Sequence, residues 1–350
     1  MLITHHLPGR TILVDGHERL YFSGTSYLGM GHNEAFRALL QEGMARYGMV
    51  YSSSRASNVQ LAVYEEAEDL LAELTGAPAA LTFSSGYQAG QAAIQGLGNK
   101  QNVLYGPGTH PAVWRNAVDA IYGEFTAWAA NLVENMETTS GETVIVANSL
   151  DPLFALNHDF GWVAQLPESR AITLLVDDSH GLGVTGRDGG GVYATLRSSA
   201  NPNVTVVVVS SLGKAFGVPG GVVLGPTNFI SDLKKSPFFT AGSPLPPAYL
   251  FAFVRAQPLY KEARQQLFAN VAYFQQQTEG LSLFRSMDRY PVFYTSDNAL
   301  ASAIATQCVL SSFPYPYPDS EPITRVIVSS LHTQADLDIL ITSIKASRTQ

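Results

Sequence analysis

Apolar positions change period several times along the chain. Residues 11–22 alternate around Asp15-Gly16, a pair suited to a two-residue hairpin turn. From Glu34 to Tyr47, Phe36, Leu39, Leu40 and Met44 recur at helical spacing, and Tyr64, Ala67, Leu70, Leu71 and Leu74 repeat that pattern over Leu61–Leu74. The short run Ala79–Phe83 predicts a strand, and a helical pattern follows it to Leu97. Further strands are expected at Asn102–Tyr105, Thr143–Ala147, Ile172–Val176 and Val204–Val209. Near-continuous apolar strands with helix-like stretches between several of them imply a doubly wound α/β sheet, mostly parallel and covered on both faces.

After about residue 230 the pattern changes. Ser243-Pro244-Leu245-Pro246-Pro247 punctuates the chain before a long helical stretch to about Gly280. Arg289–Thr295 and Ile323–Ser329 then read as strands. Thr333 and Asp336 form a capping-box start for a last helix, with Leu337, Leu340, Ile341 and Ile344 facing inward. The expected organisation is an N-terminal hairpin segment over residues 1–31, packing with the small domain. A large α/β domain would cover 32–230, and a smaller α+β domain 231–350.

At 350 residues, with 46% apolar and 14% charged side chains, the chain can bury a sizeable core and has no disordered signature. A formal net charge of −8 without a basic cluster argues against nucleic-acid binding. The start, Met1-Leu2-Ile3-Thr4-His5-His6, lacks a signal peptide's basic and apolar regions, and no apolar run approaches the roughly 20 residues of a membrane span. Cys308 is the single cysteine, so an internal disulfide is impossible. A soluble, cytoplasmic protein is the expectation.

The chemistry gathers at strand ends. Lys214 follows the apolar run Val204–Val209 in the turn Ser210-Ser211-Leu212-Gly213-Lys214. An amine there reads as a desolvated nucleophile, or in the bland reading as an exposed cation. Asp177 and Asp178 end another apolar strand, where a carboxylate needs a cation such as a protonated pyridine nitrogen. A metal is the competing partner, although no His-x-His, His-Glu-x-x-His or paired-cysteine spacing accompanies the aspartates. His180, two residues further on, reads either as a rim hydrogen-bonder or as a functional imidazole. Ser84-Ser85-Gly86-Tyr87 begins a helix, so it serves as an ordinary cap or as an anion cradle of free N–H groups. Phosphate turn, acidic strand end and lysine strand end, in that order, suit pyridoxal phosphate.

The landmarks Ser26-Tyr27-Leu28-Gly29-Met30, Phe83-Ser84-Ser85-Gly86-Tyr87, His110, Ser149-Leu150-Asp151, Val176-Asp177-Asp178-Ser179-His180-Gly181, Ser211-Leu212-Gly213-Lys214, Leu245-Pro246-Pro247-Ala248 and Arg325 before His332-Thr333 occur in one order. In these the chain resembles the α-oxoamine synthases, the branch of fold-type I pyridoxal phosphate enzymes that includes 8-amino-7-oxononanoate synthase and 2-amino-3-ketobutyrate CoA ligase. The resemblance implies a Schiff base between Lys214 and pyridoxal 5'-phosphate, with Lys214 later moving protons at the substrate α-carbon. It implies that Asp177 pairs with the pyridinium nitrogen, His110 stacks on the ring and His180 meets the phenolic oxygen. Ser85, Gly86, Tyr87 and Ser211 would hold the phosphate, joined by Ser243 from a neighbouring subunit of a homodimer. Ser149 would lie near the ring, and Thr25, Ser26 and Arg325 would meet the substrate carboxylate.

The implied reaction is decarboxylating condensation of a small amino acid with an acyl-CoA to an α-amino ketone. An aminotransferase or another amino-acid-transforming enzyme with the same cofactor is the alternative, and a phosphate-holding α/β regulatory protein is a third. Three departures from the family pattern stand out. By that pattern the chain is expected to lack the helix before the first hairpin, Thr25-Ser26 replaces an asparagine, and a glycine-rich turn reads Tyr51-Ser52-Ser53-Ser54-Arg55.

Overall fold

The computed structural model describes residues 2–98, 102–116, 123–137, 141–315 and 317–348. They form two compact units. The larger comprises Glu34–Leu150 and Asn157–Pro258; the smaller comprises Met1–Asn33, Asp151–Leu156 and Leu259–Gln350. The change of unit therefore falls at Pro258–Leu259, not after residue 230 as the sequence pattern suggests. The reason is packing. Helix Pro247–Arg255 lies against helices Glu34–Tyr47 and Val63–Thr75, and a Cβ on Gly43 would stand 2.6 Å from the Ala248 carbonyl oxygen.

In the larger unit, six strands run in the order Ala79–Phe83, Gly221–Gly225, Val204–Ser211, Ile172–Asp177, Thr143–Asn148 and Asn102–Tyr105. The last four are mutually parallel, while Gly221–Gly225 runs antiparallel to both its neighbours. That strand is absent from the pattern reading, because three apolar residues between glycines look like a turn. Its insertion leaves Ala79–Phe83 pointing the same way as the parallel set, so five carboxyl ends share one edge. Register is tight there: Asn148 pairs with Asp177, and Asp177 with Val209.

Helix Gly86–Gly96 covers one face of this sheet with Ala89, Ala92, Ala93 and Ile94, packed on Leu81, Val144, Val146, Val207, Val209 and Val223. Small residues allow close approach, since a Cβ on Gly90 would come within 2.4 Å of the Ala112 carbonyl oxygen. Helix Glu34–Tyr47 forms as its spacing predicts, but only Phe36 and Gly43 are buried on it; Leu39, Leu40 and Met44 stay half-exposed.

The smaller unit is built on a second sheet, ordered Thr11–Val14, His17–Phe22, Cys308–Pro314, Pro322–Ile327, Val292–Thr295 and Arg285–Ser286. Asp15 and Gly16 take positive φ at the expected hairpin. Helix Gln334–Ser347 opens with the capping box of Thr333 and Asp336, and its four expected apolar residues are buried. The long helical stretch breaks into Pro247–Arg255 and Gln257–Thr278.

Candidate active site

The shared edge of the larger sheet collects most of the chemistry found in the sequence. The strand ends deliver Ser85 after Phe83, His110 after Tyr105, Ser149 after Asn148, Asp177 itself, and Lys214 after Ser211. In open α/β sheets the carboxyl ends of strands are the usual ligand crevice.

Helix Gly86–Gly96 begins at this edge. Ser85 caps it by accepting from Gln88 N at 3.0 Å, so the cap reading is realised. The N–H groups of Gly86 and Tyr87 nevertheless have no hydrogen-bond partner among the described residues. Ser211 stands beside them: a Cβ on Gly86 would lie 2.7 Å from the Ser211 Cβ. Its hydroxyl accepts from Gly213 N at 3.2 Å, which leaves the hydroxyl proton to donate. Two free N–H groups, a hydroxyl donor and a helix N-terminus form a cradle matched to a phosphate.

Asp177 is buried, with Oδ1 accepting from Ser179 N at 2.9 Å. Lys214 makes no ion pair among the described residues. Burial lowers the Lys214 pKa, opposed by the charges of Asp177 and Asp178. The outcome is an amine more readily neutral than an exposed lysine. His110 reaches solvent over much of its surface, yet the crowding around its ring dominates: burial lowers its pKa, Asp177 opposes this, and Lys214 reinforces it. Its Nδ1 accepts from Ala112 N at 3.2 Å, so the neutral ring carries its proton on Nε2. Lys214, Asp177 and His110 therefore act on one another electrostatically.

Two residues given no role in the sequence reading organise this edge. Asn148 donates to Gly108 O at 2.7 Å and accepts from His110 N at 3.4 Å, anchoring the turn that presents the imidazole. Ser179 ties neighbouring strand ends by accepting from Ser211 N at 2.9 Å. A polar residue beside a strand end carries no periodic signal, so neither role was visible in the sequence.

His180 is half-buried, three residues beyond Asp177. Ser243 is exposed in the stretch before helix Pro247–Arg255, with no hydrogen bond to the cradle among the described residues. Among the described residues no group of three or more His, Cys, Asp or Glu side chains could hold a metal ion.

The remaining expected residues belong to the smaller unit. Arg325 lies on strand Pro322–Ile327, 7% exposed, donating to Pro152 O at 3.1 Å and to Ser311 Oγ at 3.0 Å. Its Nε is buried and has no hydrogen-bond partner among the described residues. Burial lowers its pKa, and Tyr27, Tyr290 and Asp151 oppose that shift. A buried guanidinium with an unused edge suits a planar anion such as a carboxylate. Thr25 and Ser26 sit in a tight turn, where Tyr27 N donates to Thr25 O and Gly29 N to Ser26 O.

Comparison with known proteins identifies the family and the fold. The aminotransferase class I and II family model matches residues 22–344. The chain is 28% identical over 357 residues to the 8-amino-7-oxononanoate synthase of Pseudomonas aeruginosa, covering 97% of this chain and 88% of that protein. Its fold is similar to a structure titled SPT with PLP, at TM-score 0.85 and 17% identity, covering 100% of this chain and 92% of that one. It is also similar to the 8-amino-7-oxononanoate synthase structure from Francisella tularensis, at TM-score 0.71 and 20% identity, covering 94% and 99%. The chain belongs to the aminotransferase class I and II family and is a pyridoxal phosphate-dependent enzyme.

Proposed function

We propose that this protein condenses a small amino acid with an acyl-CoA, releasing CoA and carbon dioxide and leaving an α-amino ketone. The observation that carries the reading is the single sheet edge that combines a depressed-pKa lysine, a buried aspartate and a cradle of unpaired N–H groups.

Pyridoxal phosphate, held at that edge, supplies an electron sink conjugated to the substrate α-carbon. The N–H groups of Gly86 and Tyr87, with the hydroxyls of Ser85 and Ser211, would hold its phosphate. Asp177 would hold the proton of the pyridine nitrogen, an acceptor role that an ionised carboxylate fills. His110 would cover one face of the ring and exclude water from it. His180 would meet the phenolic oxygen, with Ser149 at the neighbouring strand end. Lys214, more readily neutral than an exposed lysine, takes the proton from the α-carbon and returns one after carbon dioxide has left. Arg325, with Thr25 and Ser26, would hold the substrate carboxylate until it departs. Ser243 would serve the phosphate of a second subunit, which makes the working form a homodimer. Among the described residues no helix is long and apolar enough to cross a membrane. A cytoplasmic location is part of the proposal.

The test is direct. Purified protein is expected to bind pyridoxal phosphate with visible absorbance that Lys214→Ala abolishes, and to release CoA from an acyl-CoA only when an amino acid is present. Keto-acid formation without a thioester would instead assign transamination.

A further inference from the structure

Asp178 has no part in the chemistry above, although it is the most deeply buried carboxyl at the edge, at 1% exposure. Its Oδ2 accepts from Val192 N at 2.9 Å, whereas Oδ1 is buried with no hydrogen-bond partner among the described residues. Two glycines close on the carboxyl group. A Cβ on Gly181 would stand 2.0 Å from Oδ1, and one on Gly191 2.1 Å from Oδ2. The backbone is held equally firmly. Asp178 N donates to Val209 O at 2.8 Å, and Ser210 Oγ donates to Asp178 O at 3.2 Å. Both partners lie on the strand that leads into Lys214.

The ionisable groups facing this carboxyl are Asp177 beside it and Lys214 beyond the next strand; Ser149 is the hydroxyl of the adjoining strand end. The segment Gly181–Val192 contributes the Thr185 hydroxyl near Gly181 and the Val192 N–H. Ser149 favours the charged form, but no aligned hydrogen bond from it reaches Oδ1. A buried ionised carboxylate with one oxygen lacking a protein partner is costly, and a proton removes most of that cost. The Asp178 pKa is accordingly raised to about 7, chiefly by burial. Its charge also acts on Lys214, in the direction that tightens the hold of the amine on its proton.

We propose that Asp178 is a positioning residue for Lys214 that acts through its charge. When it is protonated, Lys214 faces one carboxylate and yields its proton readily; when it is ionised, Lys214 faces two and keeps it. The two groups titrate as a coupled pair. This inference rests on Lys214 being the reacting amine.

The experiment measures Lys214 directly. The full-length protein, freed of cofactor, is labelled with trace acetic anhydride across a pH series, and the Lys214 peptide is quantified by mass spectrometry. Asp178→Asn keeps the shape and removes the charge. At neutral pH and above, it is expected to raise Lys214 labelling about threefold or more over the wild type, and to move the pH midpoint of labelling downward. The pH titration of the holoenzyme's visible absorbance should move the same way. An unchanged labelling midpoint in a folded variant overturns the proposal. Carbon-13 NMR of aspartate-labelled wild-type protein supplies a test that needs no variant. A carboxyl resonance titrating near neutrality supports the assignment, and titration of every aspartate below about pH 5 overturns it. Turnover in Lys214→Ala tests the role of the amine separately, so failure of either reading is distinguishable.

Discussion

The backbone N–H of Ser211 donates to the side-chain oxygen of Ser179 at 2.9 Å, joining the strand that leads to the lysine with the segment that follows Asp177. Ser179 also gives its own N–H to Asp177 Oδ1. One small residue thus fixes both the spacing and the orientation of the two groups. Ser179→Ala removes the acceptor and leaves a part-buried N–H unsatisfied, at a cost of about 1–3 kcal/mol. Denaturant unfolding measures the loss. Weaker pyridoxal phosphate binding should accompany it, because Ser211 is part of the proposed cradle.

Arg325 separates charge from geometry. Arg325→Ala is expected to raise KM for the amino acid and lower kcat/KM by about a hundredfold, about 3 kcal/mol in transition-state binding. Arg325→Lys keeps the charge but loses the planar fork, and should recover only part of this loss. Steady-state kinetics with the amino acid varied will show it. Equal activity in the three proteins would remove the arginine from the carboxylate site.

His332 predicts acid sensitivity. It is buried, with Nδ1 accepting from Ser329 N and Nε2 donating to Tyr21 O, both at 3.0 Å, an arrangement that requires the neutral ring. Burial depresses its pKa from 6.5 to about 4. The unfolded chain therefore takes up this proton first as pH falls. Stability from the neutral ring is complete above about pH 6.5 and is lost progressively down to about pH 4, on the order of 3 kcal/mol. Unfolding free energies measured from pH 7 to pH 4 should fall more steeply in the wild type than in His332→Gln.

Arg55, in the segment that replaces a glycine-rich turn, forms a part-buried bidentate pair with buried Glu68, at 2.5 and 3.0 Å. Glu68 also accepts from Thr82 N and Thr82 Oγ1, each at 2.7 Å, and the guanidinium lies 4.4 Å from the Tyr64 ring centroid. Either Arg55→Ala or Glu68→Ala leaves a buried or part-buried charge alone and should cost about 3–5 kcal/mol. The double variant should cost clearly less than the sum, which a double-mutant unfolding cycle will reveal.

Several elements were legible before any coordinates. Hydrophobic period located the hairpin at Asp15-Gly16, helix Glu34–Tyr47 and the parallel strands, because these patterns are written within a dozen neighbouring residues. The capping box at Thr333 was equally local. By contrast, strand Gly221–Gly225 has too short an apolar run to stand out, and it forms because two neighbours offer free edges. The burial of Glu68, a charged residue beside the apolar stripe of its helix, depends on Arg55 and Thr82 arriving from elsewhere in the chain.

The same division holds for chemistry. Residue types and their order along the chain were enough to single out Lys214 and Asp177, since an amine or carboxylate after an apolar strand is conspicuous in one dimension, whereas His110 and Arg325 were named through the family resemblance alone. Which strand ends lie side by side was not contained in that order. It follows from the antiparallel insertion of Gly221–Gly225 and from the register that pairs Asn148 with Asp177 and Asp177 with Val209. The depressed Lys214 pKa, the bare Asp178 oxygen and the bracing by Asn148 and Ser179 arise only in the folded chain, because desolvation and hydrogen-bond satisfaction depend on neighbours that sequence distance conceals.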